Sequence, residues 1–243
     1  MLSKLIYTMM LMGGLFQINH ESGEAVIKKM HDRYKDKWYK TFTFNQTTLI
    51  YKNDSLVKKQ TWYEAVQFPD KFRIDFGPKD SGNAVIFKGD SAYRFKMGML
   101  KSSFKDANDL TFLLGGMYFY SFNTVLDKLK EMGYDLSKAH EDVWKGKQVY
   151  VVGAEKGDMN ANQLWIDKEK MIVVRMLNTN KRGREEAIFE NHMKAGGGWS
   201  ETKCTFYFDG KLGQVELYHD CKYNVKVDER IFEPREFGKV FYY

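Results

Sequence analysis

Apolar and polar residues alternate with a period of two along most of this chain, the pattern of strands that bury one face. It is cleanest over residues 71–76 (KFRIDF), where Phe72, Ile74 and Phe76 point one way and Lys71, Arg73 and Asp75 the other. It begins at Thr41, where Phe42 and Phe44 alternate with Thr43 and Asn45, and runs to Tyr51 before a turn at Asn53-Asp54. Residues 60–68 answer with Trp62, Val66 and Phe68, and Pro69-Asp70 breaks the ladder. Residues 84–88 and 91–96, the latter carrying Phe95, are joined by Gly89-Asp90 as a hairpin. Further strands are predicted over residues 147–153, 184–193, 202–208 and 215–219, with Gly196-Gly197-Gly198 as a flexible turn. Central to this second set are residues 162–176 (NQLWIDKEKMIVVRM). There Leu164 and Ile166 alternate with Gln163 and Asp167, the DKEK segment turns, and a β-branched run containing Met176 returns. The spacing predicts about ten or eleven antiparallel strands in all.

The period changes to that of a helix in three places. Residues 22–34 set Ala25, Val26, Met30 and Tyr34 on one face, with Ser22 as N-cap. Residues 108–120 (NDLTFLLGGMYFY) open on capping residues and are apolar nearly all round, with Leu110, Leu113, Leu114 and Met117 among them. Gly115-Gly116 in the middle costs about 2 kcal/mol of helix propensity, which predicts a bend or a mobile segment. Residues 122–132 place Val125, Leu126 and Leu129 on one side. Helices set between two groups of strands are natural covers for an apolar sheet face.

Strand parity then predicts more than a list of elements. One sheet face repeats Phe, Ile, Leu and Met, the other Lys, Arg, Asp, Glu and Thr, so only the first is shielded from water. Two short helices cover such a face incompletely. The expected architecture is α+β, mainly β: a single domain over residues 21–243 built as an incomplete antiparallel β-barrel with a helical lid above an apolar trough. Empty apolar volume costs about 24 cal/mol per Å3, so a trough of this kind is kept for a ligand. The expected lining is Phe42, Phe44, Phe72, Ile74, Phe76, Phe95, Ile166 and Met176, with Leu110, Leu113, Leu114 and Met117 from the lid. The competing reading is an ordinary packed sandwich with the helices in its core.

Composition adds a compartment. The 243 residues are 43% hydrophobic, a globular proportion. The formal charge is +6, but Lys and Arg are scattered among Asp and Glu. That fits a solvated surface or attraction to an anionic membrane or acidic partner, and without a contiguous basic groove no nucleic acid is expected as a partner. Lys4 precedes an apolar run over residues 5–16 (LIYTMMLMGGLF), about the length of a signal-peptide core and too short to span a bilayer. Residues 1–20 are therefore expected to be a signal peptide, removed to leave a soluble protein; a buried amino-terminal helix is the alternative, since no A-x-A cleavage pattern follows.

At this point the residues resemble a known family. An amphipathic helix is followed by a meander carrying F-P-D-K-F-R-I-D (residues 68–75) and by a helical cover. L-W-I-D (164–167) then runs into V-V-R-M (173–176), and D-E-R-I-F-E-P (228–234) closes the series. This order resembles the periplasmic outer-membrane lipoprotein carriers, the LolA-like family, over most of the chain beyond the leader. The resemblance implies a hydrophobic half-barrel cavity receiving the acyl chains of lipoproteins or other lipids, in the periplasm of a Gram-negative bacterium, between a membrane-bound donor and acceptor. Family carriers often place an Arg immediately before the Pro of the P-x-x-F element, where it helps hold the lid closed. Here that position is Phe68, so the latch is absent or built differently. Arg73 lies on the polar parity of its strand and is given no latch role.

Little in the sequence points to catalysis. No G-x-S-x-G, H-E-x-x-H, P-loop or G-x-G-x-x-G motif occurs, and the five His are dispersed, so no enzyme, cofactor or metal site is expected. Cys204 and Cys221 face each other if residues 202–221 form a hairpin centred on Leu212-Gly213, and a disulfide is then expected. A turn at Asp209-Gly210 would instead set Cys204 opposite Val215 and leave two free thiols. The expected function is non-covalent carriage of lipoprotein acyl chains or other amphiphiles by a monomer. The alternative is a sensor or scaffold that uses the same fold to bind a protein partner.

Overall fold

The computed structural model describes residues 21–180 and 183–243, so the expected leader lies outside the described residues. Helix α1 (Gly23–Tyr34) comes first, capped as expected by the Ser22 side chain, which accepts from the Ala25 N–H at 3.2 Å. A meander follows: β1 (Thr41–Lys52), β2 (Ser55–Gln67), β3 (Lys71–Phe76), β4 (Ala84–Lys88), β5 (Ser91–Lys96) and β6 (Met99–Lys105). The lid segment is α2 (Asp109–Leu113), a 3-10 turn (Gly116–Phe119) and α3 (Phe122–Glu131). The second meander is β7 (Asp135–Trp144), β8 (Lys147–Gly153), β9 (Gln163–Asp167), β10 (Ile172–Asn180), β11 (Gly183–Glu190), β14 (Lys203–Phe208) and β15 (Lys211–Tyr223). A short ribbon, β12 (Met193–Ala195) and β13 (Gly198–Ser200), interrupts it.

Among the described residues one antiparallel sheet holds 13 strands in the order β6-β5-β4-β3-β2-β1-β15-β14-β11-β10-β9-β8-β7. The last strand, β15, returns to pair with β1 and joins the two meanders, while β6 and β7 are left as edges. The sheet is therefore open. Both edge strands escape a reading by period: every residue of β6 is exposed, and β7 buries little beyond Leu136 and so carries no alternation. The ribbon was hidden by its glycines. A Cβ on Gly197 would lie 2.0 Å from the Lys37 carbonyl oxygen and one on Gly198 2.3 Å from the Trp38 ring, so these glycines mark close packing where a flexible turn was expected.

Helix α1 buries Val26, Ile27, Met30 and Tyr34 against the inner face and touches β7 and β8. Its carboxyl end is tied to the β9–β10 turn, where Arg33 donates to the Glu169 carbonyl at 2.6 Å and the Tyr34 hydroxyl donates to that of Lys170. With α3 and the 3-10 turn it fills the β7–β10 half of the trough: Leu164, Ile166, Met176, Leu113 and Met117 all lie in one continuous core. The β1–β3 half is less filled.

The outer face is not simply wet. Arg73 is only 1% exposed. Its guanidinium pairs with Asp75 and lies over the rings of Phe237 and Tyr242 at 4.8 and 5.4 Å, under a tail that follows β15 across the sheet. Ile231 and Phe232 of that tail are fully buried against Ala65. In the other half Arg175 sits between Trp144 and Trp165, 4.2 and 4.6 Å from the ring centres, and pairs with Glu186 at 2.6 Å.

Candidate functional site

Beneath the lid, the inner face of β1–β3, β14 and β15 leaves a cavity of about 140 Å3. Its walls come from strand parity. Phe42 and Phe44 of β1 pair with Val66 and Glu64 of β2, which pair in turn with Phe72 and Ile74 of β3, and all six line the space. Cys204 and Phe206 of β14 and Glu216 and Tyr218 of β15 close the far side. The roof is α2, whose Leu110 and Leu114, one turn apart, reach the cavity. Its start is fixed by Asn108, whose side chain accepts from the Thr111 N–H at 2.9 Å. A wider cleft of about 450 Å3 adjoins it, lined by Asp70, Asp90, Lys128 and Glu131, and shares Phe72, Asn108 and Thr111 with the cavity.

The cavity is oily but not wholly apolar. Glu64, Glu201 and Glu216 line it, while among the described residues no Lys, Arg or His does. Burial, and then the negative charge of Glu216, push the Glu64 carboxyl well above the ordinary carboxylate range. Burial likewise raises Glu201 to about 8 and Glu216 to about 7. Glu216 is held by Gln214 at 2.6 Å and by the Tyr218 hydroxyl at 3.2 Å. Oε1 of Glu64 has no hydrogen-bond partner. Around neutral pH Glu64 and Glu201 are therefore mainly protonated and Glu216 is near its midpoint, which lets carboxyls sit in an oily space.

No protein-family model matches the sequence, and no curated protein does. Solved structures do match. A DUF1329 family protein from Desulfovibrio piger superposes with a TM-score of 0.62 at 13% identity, covering 88% of this chain and 97% of that one. A putative outer membrane lipoprotein-sorting protein domain from Vibrio parahaemolyticus gives 0.58 at 12% identity, covering 88% and 97%. A LolA superfamily protein from Nitrosomonas europaea gives 0.54 at 14% identity, covering 89% and 99%. The chain has the LolA-like fold.

Within the LolA-like frame the expected lining residues divide. Phe42, Phe44, Phe72, Ile74, Leu110 and Leu114 do line the cavity. Phe76 shares their face but packs edge-on against Trp62 at 4.8 Å, to one side of the space. Ile166, Met176, Leu113 and Met117 are buried in the packed half, where α1 and the lid occupy the trough, so there they are core rather than lining. Phe95 faces outward. It pairs with Ala84, which pairs with Asp75 on the outer parity, and stacks on Phe237 of the tail at 4.0 Å. Glu64 was missed although its signal was present, a charged residue between Trp62 and Val66 on the same parity. Glu216 and Tyr218 lie within the strand expected over residues 215–219 and were missed because the aliphatic Val215 and Leu217 mark the other parity there.

The position before Pro69 also departs from the family pattern. Phe68 lies parallel to Phe119 of the lid at 5.8 Å and packs on Tyr39 at 5.6 Å. The lid backbone comes so near that a Cβ on Gly115 would lie 2.4 Å from the Phe68 ring and 2.6 Å from Trp38 Nε1. Rings and a glycine thus stand at the position where an Arg is usual. Gly115 and Gly116 break the segment, as the bend expected there requires: α2 ends at Leu113 and a 3-10 turn begins at Gly116.

The cysteines are a correction. The β14–β15 turn is at Asp209-Gly210, both with positive φ, 49° and 76°, which suits a two-residue hairpin. With a bulge between Phe206 and Tyr207, the register sets Cys204 opposite Glu216, not Cys221 or Val215. Both thiols are free, Cys204 fully enclosed and its Sγ 3.2 Å from the Tyr218 hydroxyl. Among the described residues no helix is long and apolar enough to cross a membrane.

Proposed function

We propose that this protein is a non-enzymatic carrier that holds the acyl chain of a lipoprotein or a similar amphiphile between β1–β3 and the lid, in the periplasm of a Gram-negative bacterium. The observation that carries the reading is the cavity roofed by α2 and adjoining a second cleft through Phe72, Asn108 and Thr111. As it stands the cavity suits a small guest, since an apolar void on the order of 150 Å3 takes a benzene-sized molecule. A long chain needs the roof to lift. Displacing Leu110 and Leu114 would join the cavity to the cleft, and each methylene then buried contributes about 0.8 kcal/mol. Release follows from the same mobility, because a lid that closes well on its own lowers the net affinity for cargo.

The fold neighbours support this reading as far as their descriptions go, one being a putative lipoprotein-sorting domain. The experiment is mass spectrometry of organic extracts from protein purified under non-denaturing conditions from its own periplasm. A carrier yields stoichiometric acylated lipid or lipoprotein that is lost in Ile74→Glu. A scaffold, whose small cavity is closed by its own rings, yields none.

A further inference from the structure

Deepening the carrier reading, on which it rests, we infer that the cavity takes an amphiphile whose polar end is a primary amine, seated against Glu64 and Glu216 with its hydrocarbon tail among the rings of β1 and β3. A trough meant only for hydrocarbon has no use for carboxyls. This one encloses three, on β2, on β15 and just before β14, and among the described residues no Lys, Arg or His lines the space to answer them.

One further observation points to a ligand. Glu64, only 3% exposed, lines the cavity, and its Oε1 has no hydrogen-bond partner. Buried acceptors without donors are uncommon and unfavourable. What is missing is therefore a hydrogen-bonding partner for Glu64, and an ammonium brings three N–H donors with a charge that suits the carboxylate left when that carboxyl gives up its proton. A metal ion is a poorer match, because among the described residues no three His, Cys, Asp or Glu side chains converge as a metal site requires.

Burial keeps protons on most of these carboxyls up to about neutral pH, which limits repulsion among them. An arriving ammonium takes the place of one such proton, which leaves to solvent, and an ion pair forms in a low-dielectric space. A fatty-acid anion has the opposite fate: its carboxylate would face three acids and no cation.

The test is calorimetric titration of the full chain, stripped of lipid, with dodecylamine, dodecanol and dodecanoate at pH 7, each below its micelle concentration. The expected result is binding of dodecylamine at least tenfold tighter than dodecanol, with dodecanoate weakest. In Glu64→Gln, and separately in Glu216→Gln, the amine-to-alcohol ratio should fall toward one. Because the ratio is taken within each variant, general loosening of the cavity cancels. Equal affinities in the unaltered protein, dodecanoate binding as well as the amine, or an amine preference that survives both substitutions would overturn the inference while leaving a carrier of other amphiphiles. Binding of none of the three would remove the cavity reading as well.

Discussion

The Arg73 guanidinium grips Asp75 two residues along the same strand with two hydrogen bonds, Nε to Oδ2 at 2.8 Å and Nη2 to Oδ1 at 2.9 Å. The same guanidinium donates to the Ile231 carbonyl at 3.1 Å, and Asp75 accepts from the Tyr242 hydroxyl at 2.9 Å. This buried pair pins the tail to the sheet. Removing one member strands the other's charge, so Arg73→Met should cost about 3 to 5 kcal/mol. Urea unfolding gives the loss, and limited proteolysis should cut within the tail first. Lipid retention per folded molecule should not change, because the pair lies on the face away from the cavity.

Two glutamate substitutions that look alike in the sequence should behave differently. Ile74 is partly buried and lines the cavity, so Ile74→Glu should leave a folded protein that loses its lipid. Ile166 is fully enclosed in the packed half, and Ile166→Glu should destabilise on the order of 4 kcal/mol. Thermal melts and lipid extraction on both variants check this. A stable Ile166→Glu would mean that the packed half opens.

Gly115 sets how closely the lid sits. In Gly115→Ala the new methyl collides with Phe68 and Trp38, so the lid must rise. Faster amide exchange over residues 108–120 and quicker uptake of a fluorescent apolar probe should follow, with little change in exchange elsewhere.

Stability should fall as pH rises through neutrality. In the unfolded chain Glu201 and Glu216 ionise near the ordinary glutamate value of 4.5, whereas folded they hold protons to about 8 and about 7. Between those limits the folded state binds more protons, so unfolding becomes easier with each increment of pH. The stabilisation is fully present below about 4.5 and lost as pH passes the folded values. Cys204 and Tyr218, which face the same cluster, are raised by burial and stay neutral across this window. A higher urea midpoint at pH 5 than at pH 8.5, flattened in Glu201→Gln and Glu216→Gln, is expected; an unchanged midpoint would show that the acids are solvated.

Thiol titration tests the cysteine assignment. The native protein should react slowly at Cys221 and hardly at all at Cys204, which burial protects and whose thiol it raises. Two thiols should appear on unfolding without reductant. None would restore the bridge that the hairpin register excludes.

Much of this site could be read from alternation. Phe42, Phe44, Phe72 and Ile74 fall on the cavity wall because β1 and β3 are single strands with one oily parity each. Parity has two blind spots here. It tells which residues share a side but not which side is inner once both are covered, and Phe95 was misplaced because a tail more than a hundred residues later in the chain roofs the outer face. It also cannot tell filled trough from empty. Ile166 and Phe44 carry the same signal, and only the docking of α1 decides that one is core and the other lining. Leu113 and Leu114 are sequence neighbours that a short helix turns to different sides, Leu114 into the cavity and Leu113 into the core.

Where a guanidinium would have tethered the lid by charge, Phe68 does so by shape. Aromatic contact is not screened by dissolved salt, so the lid should not loosen as ionic strength rises. On the carrier reading proposed above, a receptor taking the cargo would compete with greasy surface of its own, and a merely acidic one would gain no leverage on the lid.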